Sequence, residues 1–422
     1  MSSYKYLLFL GLILVVSSCK DGTSSFEMDD SAADVEPIFI EKPLSLSAGE
    51  KRFVQNMNSR FTVSLAREID RCTSGGFVFS PTSIIYMLGM IAEGADDKTQ
   101  EEICQTLGFD GGRQQLNAFC HSLMVLSSES ARPGECLEIA NAVLIDPAYT
   151  LKSMYKRTIE AYYDADLFGI DLDNAGSFIN KWVSEHTHGK ISGIPFDGGG
   201  LWASFINALY FKASWAMPFD SYYTKSKSFS PDGSSTRKVQ MMSMKDGNKR
   251  INFFESDDYK MIQLPYGDQI NGVGHYVFSA ILPTQNDLGL FLMTLPDDFW
   301  ESATSSLKGE LVDVQIPRFN IKSGINLNSV LYNLGISSLF TTVSFSRISD
   351  DSLSDLGAIM HIVNMSLDEK GTEAAAITYN DEAIDNLDSD QLQFHVFHAN
   401  HPFLFVISEK TTGAILFCGA YK

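Results

Sequence analysis

Positive charge is scarce in this chain. Its 422 residues carry 32 Lys and Arg against 52 Asp and Glu, a formal net charge of −20. No basic stripe is left over to neutralise phosphates, which argues against a nucleic-acid partner. Paired cysteines are missing too. Besides Cys19 there are Cys72, Cys104, Cys120, Cys136 and Cys418, an odd set without C-x-x-C spacing. Neither a disulfide framework nor a zinc site is indicated. A Cys104–Cys120 disulfide stays open, and Cys418, in the apolar run Ala414–Cys418, reads as a small buried hydrophobe. No apolar run reaches the roughly twenty residues of a membrane span. Nothing matches G-x-S-x-G, H-E-x-x-H, G-x-x-x-x-G-K-[ST] or G-x-G-x-x-G. Gly272-Val273-Gly274 lacks a third glycine and precedes a strand. His186 and His188 are two residues apart and cannot share a helical face. His398 and His401 flank a turn into a core strand. No metal, no cofactor and no enzymatic activity are expected.

At the N-terminus, Lys5, the apolar run Leu7–Val16 and small residues read as a secretory signal over residues 1–18. Val16-Ser17-Ser18-Cys19 resembles the bacterial lipobox, which implies lipidation at Cys19. Asp29, Asp30, Asp34 and Glu36 then lie in a polar stretch that predicts a flexible tether over residues 19–47. The protein is expected to be exported from a bacterial cell and held at the outer membrane or cell surface by that lipid alone.

Residues 48–422 contain no linker and no internal repeat, so one domain is expected. Phe53, Met57, Phe61, Leu65 and Ile69 form a helix stripe. Phe77-Val78-Phe79 is a short strand, and Ser80-Pro81 opens a helix ending near Gly94. Thr99 to Glu102 reads as a capping box opening a helix to Leu107, closed by Gly108. Leu137–Ile145 reads as a strand, and Tyr155–Tyr163 and Phe178–His186 as helices. From Leu201 strands dominate: Leu201–Phe211, Tyr259–Pro265, Tyr276–Leu282 and Leu311–Phe319, then, past a helix over Leu327–Leu334, Gln393–His398, Phe403–Ser408 and Ala414–Ala420. Helices first and mostly antiparallel sheets after make an α+β class.

The apolar run Ala358–Leu367 predicts a buried strand, and Glu369-Lys370-Gly371-Thr372-Glu373-Ala374-Ala375-Ala376-Ile377-Thr378 follows it. Side chains alternate along a strand, so Thr372, Ala374, Ala376 and Thr378 share one face if the stretch extends. All four are small and uncharged, and Gly371 provides a pivot. Alanine is a poor strand former, so this is a latent strand. Ordering one residue costs about 1–2 kcal/mol against about 1 kcal/mol net per hydrogen bond. The balance is close enough for one buried charge to stop insertion, and the inward face carries none.

That stretch resembles the hinge of the serpin reactive-centre loop, at Glu369, Gly371, Thr372, Glu373, Ala374, Ala375 and Ala376. Phe397–Ile407 is similar to the family signature that follows the loop. Phe79–Ile84, Trp182-Val183 with Thr187–Ile191, Asn207–Trp215, Met241-Met242 and Ile316–Phe319 match in order. The resemblance covers residues 48–422. It implies three β-sheets, eight to nine helices and an exposed loop over about residues 369–392. It also implies a monomeric suicide inhibitor that forms a covalent acyl complex with a serine or cysteine protease and inserts the cleaved loop into its main sheet. The rival reading is a serpin fold used for binding or as a chaperone. Ser80, Ser83, Asn207 and His361 match the shutter cluster beneath the opening sheet, and Trp215 the breach. Counted from the hinge, the scissile bond falls between Asp385 and Asn386. The loop is longer than in common members, which leaves Tyr379, Ile384 and Leu387 as alternatives.

Overall fold

Ser80-Pro81 starts the helix around which the chain folds. The Ser80 hydroxyl accepts the Ser83 backbone N–H at 3.1 Å, and Pro81 occupies the first turn, where its missing donor costs nothing. Every residue of the resulting helix, Pro81–Gly94, is buried, as expected for a helix that is apolar on all sides. The computed structural model describes residues 28–29 and 48–422, except 130–134, 193, 195, 197, 269–271, 352, 354, 355, 357, 358 and 373–391. Nine α-helices and three large sheets form among the described residues, so the α+β class stands.

The sheet that matters for function has six strands. Across it lie Phe319–Asn326, Met360–Asp368, Gly371–Thr372, Ala203–Ser214, Glu135–Ile145 and Ala165–Gly169. Register ties Leu367 to Thr372 and Thr372 to Ala213. Behind it, a seven-stranded sheet carries Tyr259–Asp268, Gly272–Pro283, Phe403–Glu409 and Ile415–Tyr421 at its centre. Phe211, Trp215, Tyr266, Phe278, Phe405 and Phe417 interleave in one buried cluster, the packing expected where two inner sheet faces meet. The third sheet has four strands, Lys225–Phe229, Arg237–Met244, Val312–Pro317 and His395–His398.

Several expectations need correction. Leu311–Phe319 is not one strand. Val312–Pro317 belongs to the four-stranded sheet and Phe319–Asn326 to the six-stranded one. Pro317 has no N–H for a ladder, and the chain changes sheets at Arg318, whose N–H donates to Gln240. The helix expected at Thr99 begins at Asp97, because the Asp96 carboxylate captures the Thr99 N–H at 2.9 Å. Three helices were unforeseen: Gly112–Glu129, Leu288–Thr294 and Phe299–Ser305. Within the expected tether, Met28–Asp29 makes a two-residue parallel pairing with Leu151–Lys152. Cys104 and Cys120 are free thiols. The signal segment and Cys19 lie outside the described residues.

Candidate functional site

Where the six-stranded sheet opens, the chain leaves Met360–Asp368, turns through Glu369-Lys370, and re-enters the sheet as Gly371–Thr372. Two residues of the latent strand are therefore a strand already. Gly371 is required there. Its φ is +147°, and a Cβ built on it would lie 2.1 Å from the Ala213 carbonyl oxygen. Thr372 points inward as the alternation predicted, and it is 3% exposed.

Aromatic residues hold this turn from behind. The Tyr266 and Thr372 hydroxyls are 2.5 Å apart, and burial pushes the Tyr266 phenol up, so it stays protonated and available as a donor. Trp215 stacks on Tyr266 at 4.5 Å with the rings 6° from parallel. Its indole N–H donates to the Asp368 carbonyl at 2.9 Å, and its backbone N–H to the Lys370 carbonyl at 2.8 Å. Trp215 thus fixes both sides of the turn. Glu369 is clamped from outside. It accepts the Thr224 hydroxyl at 2.8 Å and lies 3.7 Å from the half-exposed Arg318 guanidinium.

Beneath Thr372 the two flanking strands have no direct backbone ladder to each other. A small pocket of about 10 Å³ sits there, room for about one water. Tyr210 and Phe211 line one side, Asn364 and Met365 the other, and Thr187, Lys190 and Ile191, from the segment Thr187–Ile191, face it. That last segment is a cover. It follows the helix Gly176–His186 and is pinned when the Asn364 amide donates to the Lys190 carbonyl at 3.2 Å. The His188 imidazole, 3.1 Å from the Glu138 carboxylate, ties the cover to the sheet as well.

The expected shutter residues come together only in part. The Ser80 backbone N–H donates to His361 Nε2 at 2.9 Å, and Ser80 caps Ser83, so these three form one buried group. Burial holds the His361 imidazole well below its usual range, at about 4, so it is neutral. Asn207 does not join them. Its amide donates to Asn141 Oδ1 at 2.7 Å, and the Asn141 amide donates to the Tyr163 carbonyl. Tyr266, Thr224, Asn141 and Asn364 were not singled out from the sequence, and Arg318 only as part of the family match Ile316–Phe319. Glu373, Ala374, Ala375 and Ala376 of the hinge, and Tyr379, Ile384, Asp385, Asn386 and Leu387 of the loop, lie outside the described residues.

Three large sheets, with Gly371–Thr372 seated between Met360–Asp368 and Ala203–Ser214 at the mouth of the six-stranded one, define the class of fold. The chain belongs to the serpin family. The family model described as "Serpin (serine protease inhibitor)" matches residues 56–422. Iripin-1 of Ixodes ricinus is 31% identical over 373 residues, covering 86% of this chain and 92% of its own length. Tengpin, a thermophilic serpin solved in its native state, superposes with a TM-score of 0.79 at 26% identity, covering 90% of this chain and 96% of that one. Human thyroxine-binding globulin, solved with thyroxine bound, reaches 0.77 at 25% identity, with coverage of 88% and 98%. These matches place the three-sheet serpin fold on this chain.

Proposed function

We propose that this serpin is a monomeric suicide inhibitor of serine endopeptidases, with cysteine endopeptidases as a second target class. The observation that carries this reading is the seating of Gly371–Thr372 between Leu367 and Ala213, above a pocket where the flanking strands lack a ladder. The loop offers the Asp385–Asn386 bond, with bonds at Tyr379, Ile384 and Leu387 as alternatives. The protease nucleophile attacks the carbonyl carbon, the peptide bond breaks, the new amine leaves with a proton, and an ester or thioester joins loop to enzyme. Insertion then carries the acyl-enzyme away before water hydrolyses it.

Each inserted residue gains ladder bonds on both sides and buries a small side chain, while ordering it costs about 1–2 kcal/mol. Insertion also has to break the Asn364–Lys190 contact and move the cover. Ser80, Ser83, Asn207 and His361 act as gates for that opening and Trp215 as the pivot support; none is catalytic. An acidic residue before the bond favours proteases that cleave after Asp or Glu, whereas Leu387, Ile384 or Tyr379 favours elastase-, subtilisin- or chymotrypsin-like enzymes. Export and lipid anchoring through Cys19 rest on the sequence of the N-terminus.

The test is titration against a panel of these protease types, read on denaturing gels. A covalent, SDS-resistant complex is the expected result, and mass spectrometry of it fixes the bond. Cleaved product without any complex would contradict inhibition and favour a serpin used for binding or as a chaperone.

A further inference from the structure

Against the −20 net charge of the chain, one cleft runs the other way. It has a volume of about 470 Å³ and lies along the outer edge of Phe319–Asn326, the edge strand of the six-stranded sheet. Four cations line it: Arg237, Arg318, Lys322 and Lys422. Three are partly engaged. Arg237 lies over the Phe229 and Tyr421 rings, each 5.2 Å away, and donates to the Lys422 carbonyl. Lys422 pairs with Asp70 at 2.7 Å. Arg318 stands 3.7 Å from Glu369, beyond hydrogen-bond distance, with half of its side chain exposed. Lys322 is exposed and makes no ion pair with the described residues. The Asn320 side chain, exposed on the same face of the strand, adds an amide to the lining.

We propose that this cleft binds a small, multiply charged phosphate ester, and that binding loosens the hinge. Lys322 and Arg318 have the freest donors, and Arg318 presents the planar fork suited to phosphate oxygens. A dianion facing Arg318 competes directly with Glu369, whose own hold on Arg318 is long and partly screened. Once Arg318 turns to the ligand, the Glu369 carboxylate keeps only the Thr224 hydroxyl, beside the Phe219 N–H that the Glu369 carbonyl accepts. The turn before Gly371–Thr372 is then held less firmly, so the cleft acts as an effector site one residue contact away from the moving strand. The coupling rests on the hinge reading above, but the binding does not.

The full chain is titrated calorimetrically with inorganic pyrophosphate in 20 mM and 200 mM salt, and separately with vesicles containing phosphatidylglycerol. Expected is one pyrophosphate per chain, at least tenfold weaker in the higher salt and at least tenfold weaker in Lys322→Ala, while Lys238→Ala, a surface control outside the cleft, binds normally. Amide exchange at Gly371 and Thr372 rises when pyrophosphate is bound. Vesicle binding that Lys322→Ala abolishes assigns the phosphate to a lipid headgroup; pyrophosphate binding alone assigns it to a soluble ester. No binding of either probe, or binding indifferent to Lys322→Ala, overturns the site. Binding without faster exchange at Gly371 and Thr372 overturns the coupling. None of these readouts depends on protease inhibition.

Discussion

The Tyr266 hydroxyl lies 2.5 Å from the Thr372 hydroxyl, with both residues fully buried behind the mouth of the sheet. Thr372 is the inward-facing residue of Gly371–Thr372, so on the proposed mechanism this contact sits where insertion would start. Tyr266→Phe removes the partner and leaves a buried hydroxyl unpaired, a loss of about 1–3 kcal/mol. The expected outcome is a lower urea midpoint and faster amide exchange at Gly371 and Thr372. Exchange equal to that of the unaltered chain would show that the Trp215 contacts suffice to hold the turn.

Thr372→Arg tests the inward face itself. The substitution places a charge where the side chain is 3% exposed, and burying an unpaired charge costs several kcal/mol. Insertion stalls, so the variant is cleaved and released instead of forming complex. Inhibition at the unaltered stoichiometry would refute the alternation argument.

Asn364→Ala removes the amide that pins the cover to the strand Met360–Asp368. The barrier to insertion falls while the final state loses nothing comparable. A synthetic peptide with the sequence of residues 369–378 should then anneal into the sheet severalfold faster, followed by native gel. A slower rate would mean that the cover guides insertion rather than obstructing it.

His361 sets a pH dependence. Its folded pKa is about 4 because of burial, against about 6.5 for an ordinary histidine. As pH falls, the unfolded chain takes up the proton first, so stability is full above about pH 6.5 and declines as pH drops through 4. The shift corresponds to about 3 kcal/mol. In His361→Gln, the melting temperature is expected to fall less steeply between pH 7 and 4 than in the unaltered chain. Parallel slopes would place the acid sensitivity elsewhere.

Gly371 and Thr372 were readable because their properties are local: a glycine where the chain must turn, and a small uncharged residue at the next position. The shutter residues were identified by family resemblance, yet their pairing was not readable. Whether Asn207 bonds His361 or Asn141 depends on how far the two strands stand apart, which is a tertiary distance. Tyr266 was hidden for a different reason. It follows Pro265 in a strand whose register shifts there, and only the sheet-on-sheet packing brings it under Thr372. The helix Gly112–Glu129 had a pattern, Leu116, Phe119, Cys120 and Leu123, but Gly111-Gly112 in front of it gives no capping side chain. Arg318 looked like part of a strand and is the point where two sheets exchange the chain.

The most direct measurement is the melting temperature of the chain before and after a single cut near the proposed Asp385–Asn386 bond, made by a protease that is not trapped. If Glu369 to Thr378 completes the six-stranded sheet, the cut chain melts well above the intact one, because the ladder begun at Gly371–Thr372 runs on down both neighbouring strands. A cut chain that melts at or below the temperature of the intact one would contradict insertion and, with it, the inhibitory reading.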